Sequence, residues 1–385
     1  MTSADAELAL LLAGTEARRK RTLPRIRALA ASADADTLLR YLGERRLLGL
    51  IGSRLEKLVP HVAASVSEGA AAARKAARLQ AMAIDAVTVR LARQCEEAGI
   101  PALPLKGPRL ARALYGDAGL RASSDVDLLV PAGGLERAVA LTRAEGYEPR
   151  TGPVRRDGLP DLHVELEQPR LPPVELHWRV HWYESAFSRT SLAHSEPDRD
   201  GIRRAQPRDD LAMLLLFFAR DGFHGLRHAA DIAAWWDRHG ASYGARGILD
   251  EHASRYPELA PALRAAAVSA ERHGGVPAGA LLSNSRTPGR RGQLAVALGD
   301  WAAEGDRDQL AANVDLVDGL LGPRGLTRDF LRRQLLTPPV RTLGPDGSAS
   351  LWARGVHAAK TLGRFALALR RVRGGRAWRP LPPSA

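Results

Sequence analysis

Two aspartates separated by one residue, Asp125 and Asp127, are the side chains of this sequence best placed to do chemistry. They lie in the run Arg121-Ala-Ser-Ser-Asp-Val-Asp-Leu-Leu-Val130, where apolar residues alternate with the acids. This alternation predicts a β-strand with one apolar face and one face that presents two carboxylates about 7 Å apart. Carboxylates at that spacing suit divalent metal ions, although Asp-x-Asp pairs in many chains are solvated surface residues.

A candidate phosphate-binding turn precedes the aspartates. Residues 100–105 form a short extended run that ends at Lys106-Gly107, and Arg109–Tyr115 has the pattern of a short helix. A turn that leads into a helix offers backbone N–H groups to an anion. Lys106 adds a cation at the same place, so this segment is a candidate binding site for the phosphates of a nucleotide.

A third carboxylate follows on a predicted β-hairpin. Leu162–Glu167 and Val174–Val180 both alternate with period two, and the proline-rich stretch 168–173 joins them. Glu175 and His177 share the polar face of the second strand. Three carboxylates on adjacent strands suit two magnesium ions that bridge the phosphates of a nucleotide.

Helices are expected on both sides of this α/β region. Residues 5–97 have helical spacing throughout, and Ala70–Glu97 predicts one long helix that Gly99 ends. Its predicted buried stripe comprises Leu79, Met82, Ile84, Val87 and Leu91. Residues 208–338 return to helical patterns.

The chain closes with a basic tail that contains a predicted amphipathic helix, Leu351–Val372. The apolar stripe predicted for this helix comprises Leu351, Val356, Leu362, Phe365, Leu369 and Val372. A helix of this kind suits peripheral contact with an acidic membrane surface, and packing on the rest of the protein is the competing interpretation that the pattern favours.

The formal net charge of +13 is not taken as evidence for nucleic-acid binding. Arginine outnumbers lysine about tenfold, which is typical of a proteome-wide compositional bias. Residues 341–385 carry a net charge of +8, so the other 340 residues carry only +5. These features, and the few aromatic residues in the tail, make nucleic acid an unexpected partner.

Cysteine usage and hydropathy predict a cytoplasmic protein. Cys95 is the single cysteine, which excludes an internal disulfide framework and fits a reducing compartment. The longest apolar run, Leu211–Ala219, is too short to span a bilayer, and the N-terminus has no signal-peptide pattern.

Four separated segments resemble, in order, the uncharacterised nucleotidyltransferase family of the DNA polymerase β-like superfamily. They are Leu105-Lys-Gly107, Leu114-Tyr-Gly-Asp-Ala-Gly-Leu-Arg-Ala-Ser-Ser-Asp-Val-Asp-Leu-Leu-Val130, Gly146-Tyr147 and Glu175-Leu-His-Trp178. The resemblance implies an α+β fold, in which a small mixed β-sheet core with helices on one face is flanked by N- and C-terminal helical regions. The expected segments are an N-terminal helical region (residues 1–97), a nucleotidyltransferase core (98–205), a C-terminal helical region (206–340) and the basic tail (341–385).

The resemblance also implies an activity and a set of site residues. The activity is transfer of a nucleoside monophosphate from a nucleoside triphosphate to a hydroxyl or similar acceptor, with two-metal catalysis and release of pyrophosphate. Asp125, Asp127 and Glu175 are implied as catalytic residues and as ligands of Mg²⁺ or Mn²⁺. Candidate nucleotide-binding residues are Lys106, Gly107, Arg121, Ser123 and Ser124. The two serines are equally suited to shaping the turn that leads into the strand of Asp125 and Asp127. The acceptor class stays open among small molecules, sugars, peptides and proteins.

The sequence departs from the superfamily pattern at the phosphate-binding turn. Gly107-Pro108 replaces the usual Gly-Ser, which removes a hydroxyl and one backbone N–H. Phosphate binding would then depend on Lys106. The departure supports an alternative function as a catalytically inactive nucleotide- or peptide-binding scaffold.

Other acids and histidines provide competing candidates. Glu165 and Glu167 are rivals of Glu175 as the third acid, and the alternative explanation for them is an exposed strand face. His177 could orient Glu175. Asp231 matches a recurrent acid of the family's later helices, and with His224 and His228 it also has helical spacing for a metal site. Ordinary polar residues at a helix start explain that trio better, because the glutamate of a zinc-binding helix is absent.

Overall fold

The computed structural model describes residues 3–59, 61, 64–150, 162–184, 186–244, 246–283, 288–299, 307–323, 335 and 350–373. The chain forms two compact units, one of residues 1–214 and 226–244 and the other of residues 215–225 and 245–385. Within the described ranges, no helix is both long and apolar enough to cross a membrane.

Helices occupy the N-terminal part of the first unit, as the sequence predicts. Their bounds are Ser3–Ala13 (α1), Glu16–Arg21 (α2), Leu23–Ser32 (α3), Ala35–Glu44 (α4), Leu48–Leu58 (α5) and Ala64–Glu97 (α6). The Asp34 side chain caps α4 by accepting a hydrogen bond from the Thr37 amide. Gly99 follows the end of α6 with φ of +72°, a left-handed conformation that favours glycine.

A five-stranded mixed sheet follows α6, with two helices in its connections. The elements are β1 (Leu103–Pro104), α7 (Pro108–Tyr115), β2 (Val126–Leu129), α8 (Leu135–Ala144), β3 (Glu148–Pro149), β4 (His163–Glu167) and β5 (Val174–His177). The strand order is β1-β2-β5-β4-β3, and β2 pairs with β5 in parallel while the other neighbours are antiparallel. The predicted hairpin is therefore confirmed as β4 and β5.

The alternation along the strands explains which face of the sheet is buried. Apolar side chains of β2, β4 and β5 form one core with α6 and α8. These core residues include Ile84, Val87, Leu91, Val126, Leu128, Leu135, Ala138, Leu166, Val174 and Leu176. The opposite face carries the acids and histidines of the same strands. The α+β class with a small mixed sheet and flanking helices is confirmed.

One part of the predicted stripe on α6 is wrong. Leu79 and Met82 have 61% and 69% of their surface exposed, whereas Ile84, Val87 and Leu91 are buried. The buried face near Met82 uses Ala81 instead. The prediction fails because the helix is rich in alanine. In such a helix small residues can form the buried face, whereas the spacing of large apolar residues predicts that those are buried.

The remaining elements complete both units. They are α9 (Phe187–Ala193), β6 (Glu196–Pro197), β7 (Arg203–Arg204), α10 (Pro207–Arg220), α11 (Leu226–His239), α12 (Asp250–Arg255), α13 (Ala260–Gly274), α14 (Ala278–Leu281), α15 (Arg290–Leu298), α16 (Arg307–Leu321) and α17 (Leu351–Arg373). The helical patterns predicted for 324–334 and 336–338, and the tail segments 341–349 and 374–385, lie outside the described residues.

The tail helix α17 exists as predicted, and it packs against α15 and α16. Its predicted apolar stripe is wrong in part. Thr361, Phe365 and Ala368 are buried, whereas Leu351 and Leu362 are 87% and 53% exposed. The face of α17 that packs against these two helices includes the polar Thr361 and the small Ala368. A pattern based on large apolar residues does not predict that face.

Candidate functional site

The two aspartates lie at the start of β2, an interior strand of the sheet. Asp127 is the second residue of that strand and Asp125 directly precedes it, so the strand is two residues shorter than the alternation predicts, because Asp125 and Val130 lie just outside its ends. The Leu105 amide donates a hydrogen bond to the Asp127 carbonyl at 3.1 Å, which ties the turn after β1 to this point. Asp127 is buried, with 5% of its surface exposed, and Asp125 is half-buried.

Strand register brings the third acid beside the pair. Asp127 of β2 and Glu175 of β5 are directly opposite each other in the parallel pairing. Carboxylate oxygens of Asp125, Asp127 and Glu175 all lie within 4.8 Å of one another. The three residues that the sequence predicts as catalytic are therefore brought together on one face of the sheet.

Two cationic or hydrogen-bonding groups hold Asp127. Lys106 Nζ lies 3.1 Å from Asp127 Oδ1, and His177 Nε2 lies 3.0 Å from the same oxygen. Burial acts to raise the pKa of Asp127, but Lys106 and His177 outweigh it and hold the pKa well below the ordinary value. Asp127 is consequently an ionised carboxylate inside the protein.

Asp125 has a less favourable electrostatic environment. Burial raises the pKa of its carboxyl, and the charges of Asp127 and Glu175 raise it further. Lys106 and Arg227, the second residue of α11, oppose this effect. Asp125 is therefore the acid that a nearby cation would relieve most directly.

Glu175 shares a histidine with Asp127. His177 Nε2 lies 3.1 Å from Glu175 Oε2, in addition to its contact with Asp127. Burial would raise the pKa of Glu175, but the hydrogen bond from His177 overcomes it and lowers the pKa. Because Nε2 lies between two carboxylate oxygens, we assign the imidazole proton to Nε2, from which it can be donated to both.

The rival acids of β4 occupy different surroundings. Glu165 is directly opposite Glu175, on the side away from Asp127. Its carboxylate pairs with Arg150 at 3.3 Å, and Glu167 pairs with the same arginine at 3.2 Å. Glu175 rather than Glu165 therefore lies with the two aspartates.

The turn at Lys106-Gly107 has a backbone that requires glycine. Gly107 immediately precedes α7 with φ of +84° and ψ of −156°. A Cβ atom at this position would meet only the Ile84 side chain, at 3.9 Å, so space does not restrict the residue. The positive φ alone makes any other residue strained here, and Pro108 then starts the helix with its fixed φ.

Replacing Gly107 with alanine is expected to lower the free energy of unfolding by about 1–2 kcal/mol, because alanine must adopt the same positive φ. Chemical denaturation of the purified protein measures this change. Gly43→Ala is the matched control, since Gly43 lies inside α4 with open space around it. That control should stabilise the protein by up to about 1 kcal/mol. Equal effects of the two substitutions would contradict the argument from backbone conformation.

Arg121 lies inside the protein. Its Nε donates to Asp231 Oδ2 at 2.9 Å, and its Nη1 donates to Ser123 Oγ at 3.1 Å. The side chains of Arg121 and Asp231 are 3% and 0% exposed. Burial would lower the pKa of Arg121, but Asp231 outweighs this and raises it. The Tyr115 hydroxyl completes the group by donating to Asp231 Oδ1 at 2.8 Å.

The serines of the loop before β2 are held by arginines. Ser123 accepts from Arg121, and Ser124 Oγ accepts from Arg46 Nη1 at 3.1 Å. These contacts tie the loop that ends at Asp125 to α11 through Asp231, and to the segment between α4 and α5 through Arg46. Asp231 thus belongs to an internal ion pair that supports the site.

Sequence reasoning missed three residues near the acids: Arg46, Arg227 and His163. The two arginines are far away in the sequence, and no local pattern marks them. His163 could have been found from the predicted hairpin, because the register places it directly opposite His177.

The donor set fits a hard divalent ion. Three carboxylates within 4.8 Å of one another supply oxygen ligands of the kind that Mg²⁺ and Mn²⁺ prefer. Burial raises the pKa of Asp125, and the negative charge of Asp127 and Glu175 raises it further. A bound cation would compensate that charge.

The comparison with protein families agrees with this geometry. The model of a family described as uncharacterised nucleotidyltransferases matches residues 31–272, which is more than half of the chain. No curated protein matches the chain. Nucleotidyltransferases act on nucleoside triphosphates and usually use divalent metals. The matched range includes the three acids of the site and the helices α7 and α11, which carry Tyr115 and Asp231. The chain therefore belongs to the uncharacterised nucleotidyltransferase family.

Proposed function

We propose that the protein transfers a nucleoside monophosphate from a nucleoside triphosphate to a hydroxyl-bearing acceptor and releases pyrophosphate. The observation that carries the proposal is the set of three carboxylates, Asp125, Asp127 and Glu175, with oxygens within 4.8 Å of one another. Two of them are fixed by strand register, and the third directly precedes the strand. This rigid placement is what a metal-assisted transfer requires of its protein ligands.

Asp125, Asp127 and Glu175 would hold Mg²⁺ or Mn²⁺. When bound, the ions would neutralise charge on the triphosphate and stabilise the leaving pyrophosphate oxygen. The chain's own contribution is to keep the acids correctly oriented and to favour the ionised form of Asp127 and Glu175. His177 does this for two of them, because its Nε2 lies 3.0 Å from Asp127 and 3.1 Å from Glu175.

Lys106 is the cation proposed to contact the triphosphate. Its ammonium group lies 3.1 Å from Asp127 with 15% of the side chain exposed, so phosphates gathered at the acids lie within its reach. The turn at Gly107 and the loop serines, Ser123 and Ser124, would surround the same phosphates. Arg121 is proposed to act through Ser123, because its guanidinium is buried against Asp231.

Glu175 is proposed to receive the proton of the acceptor hydroxyl. The lowered pKa keeps its carboxylate ionised at neutral pH. It is half-buried, whereas Asp127 is almost fully enclosed and engaged by Lys106. A positioned carboxylate base contributes about 10²–10⁴-fold to a rate.

Replacing Glu175 with glutamine is expected to lower kcat for nucleotidyl transfer by at least about 10²-fold. Glu165→Gln is a matched control on the same face of the sheet and should change kcat less than about threefold, since Glu165 pairs with Arg150 instead. Steady-state rates of pyrophosphate release with Mg²⁺ and each nucleoside triphosphate measure both effects. If Glu165→Gln is the more damaging change, the third acid is misassigned.

The scaffold alternative is favoured by one observation, the proline at the first position of α7. Pro108 has no amide hydrogen to give to a phosphate. A scaffold would be stabilised by nucleotide in a thermal-shift measurement without releasing pyrophosphate, whereas an enzyme would show both.

The acceptor is proposed to be a small molecule, sugar, peptide or protein hydroxyl, and the setting to be cytoplasmic. The latter rests on the single, buried cysteine, which burial keeps in the thiol form by raising its pKa to about 11.

A further inference from the structure

A second group of metal-binding side chains lies beside the three carboxylates. His163 and His177 are directly opposite each other on β4 and β5, and their ring centroids are 4.7 Å apart. Glu175 is on the same face, two residues before His177. One ligand atom from each of His163, Glu175 and His177 lies within 4.8 Å of the other two.

The distances in this group match those around a small transition-metal ion. Glu175 Oε2 lies 3.1 Å from His177 Nε2 and 3.9 Å from His163 Nε2. Ligand bonds of about 2.0–2.1 Å in tetrahedral geometry place neighbouring donor atoms about 3.3 Å apart. Small side-chain rotations therefore suffice to close the group around one ion.

The chemistry of the donors differs from that of the neighbouring carboxylates. Imidazole nitrogens suit zinc and similar borderline ions, whereas Mg²⁺ and Ca²⁺ prefer an all-oxygen set. Two histidines and one carboxylate form one of the common protein ligand sets for zinc. Glu175 belongs to both groups, so the two sites share a ligand.

We propose that His163, Glu175 and His177 form a binding site for a zinc-class divalent ion. An ion at this site uses the Nε2 lone pair of His177, and the imidazole proton is then carried on Nδ1. His177 consequently stops donating to Asp127, and Glu175 is withdrawn from the two aspartates. Zinc therefore competes with magnesium for Glu175; this last consequence, unlike the binding itself, rests on the proposed function.

Zinc binding to the full-length, metal-stripped protein tests the proposal without nucleotide. A chromophoric chelator competes for Zn²⁺, and Co²⁺ absorption in the visible range reports nitrogen ligation and geometry. His163→Ala should weaken Zn²⁺ binding by at least about tenfold and remove the cobalt spectrum of the wild type. His163 is 31% exposed at its side chain, so the substitution should leave the circular dichroism spectrum unchanged.

Two further variants make the result specific. His194→Ala removes an exposed histidine at the end of α9 and should bind Zn²⁺ as the wild type does. Asp125→Asn changes the carboxylate site without removing a ligand of the zinc site, and it should keep the zinc affinity within about threefold. The proposal is overturned if His163→Ala binds Zn²⁺ like the wild type, or if Asp125→Asn weakens zinc binding as much as His163→Ala. Because no turnover is measured, neither result bears on nucleotidyl transfer itself.

Discussion

Replacing Asp125 with asparagine is expected to lower kcat/KM for nucleotidyl transfer by on the order of 10³-fold, while the protein stays folded. The loss follows from the role proposed for Asp125 as a metal ligand, since charge stabilisation by a bound ion is worth several kcal/mol, and each 1.4 kcal/mol is about tenfold in rate. The fold should survive because Asp125 is half-buried beside two other acids. Burial and the charges of those acids both raise the pKa of its carboxyl, so asparagine removes a charge that is unfavourable in the folded protein.

Asp125 is a cleaner target than Asp127. The Asp127 carboxylate is paired with Lys106 and His177, so Asp127→Asn also weakens those two contacts and complicates the interpretation of any loss of rate. Asp36→Asn is a suitable control, since Asp36 is exposed in the first turn of α4. We expect the control to keep wild-type kcat/KM. An Asp125→Asn protein with normal structure and normal Mg²⁺-dependent turnover would contradict the assignment of Asp125 as a metal ligand.

Replacing Asp231 with asparagine is expected to lower the free energy of unfolding by about 3–5 kcal/mol, since it leaves the buried charge of Arg121 without its partner. The pair is enclosed, with side-chain exposures of 3% and 0%. Asparagine must also present an N–H group to one of two donors, Arg121 Nε or the Tyr115 hydroxyl. Urea denaturation followed by circular dichroism measures the loss.

Graded variants separate the ion pair from the general cost of mutating the interior. Tyr115→Phe removes only one hydrogen bond to Asp231 and should cost about 1 kcal/mol. Arg121→Met combined with Asp231→Leu removes both charges and should recover much of the stability lost by Asp231→Asn. If Asp231→Asn costs less than Tyr115→Phe, the buried ion pair does not stabilise the protein as argued.

The sequence predicts which face of the sheet carries the acids, because their placement follows from local alternation. Period two on β2 and β5 puts Asp127 and Glu175 on the face opposite the core, and the parallel register then makes them neighbours. Alternation does not separate Glu175 from Glu165, because both lie on the same face. The strand order separates them, since β5 rather than β4 is the neighbour of β2. Local pattern thus gives the face of the third acid, and the strand order gives its identity.

The support of the site is less predictable from the sequence because it depends on distant residues. The sequence predicts that Arg121 contacts phosphate, and it gives no sign that Arg121 donates to Asp231, which lies 110 positions further along the chain. Arg46 reaches Ser124 across 78 positions. Such pairs follow from the packing of α11 and the N-terminal helices around the core, and a single sequence shows no spacing that encodes them.

Exposure on the two long helices is also a tertiary property. Met82 on α6 and Leu362 on α17 are exposed, although helical spacing predicts that both lie on buried stripes. Each helix buries small or polar neighbours instead, such as Ala81 and Thr361. Which face of a helix is buried depends on the helices that pack against it. Helical periodicity alone therefore predicts that a helix forms but not which of its faces is buried.

The central claim is that Asp125, Asp127 and Glu175 support transfer of a nucleotidyl group. It is tested most directly by incubating the protein with Mg²⁺ or Mn²⁺ and each of the four nucleoside triphosphates labelled at the α-phosphate. The acceptors are sugars, polyols, hydroxyl-bearing peptides and the protein itself. We predict metal-dependent release of pyrophosphate with transfer of the label to an acceptor by the wild type, and neither product from Asp125→Asn/Asp127→Asn. Identical behaviour of the wild type and the double variant with every nucleotide and acceptor would contradict the account.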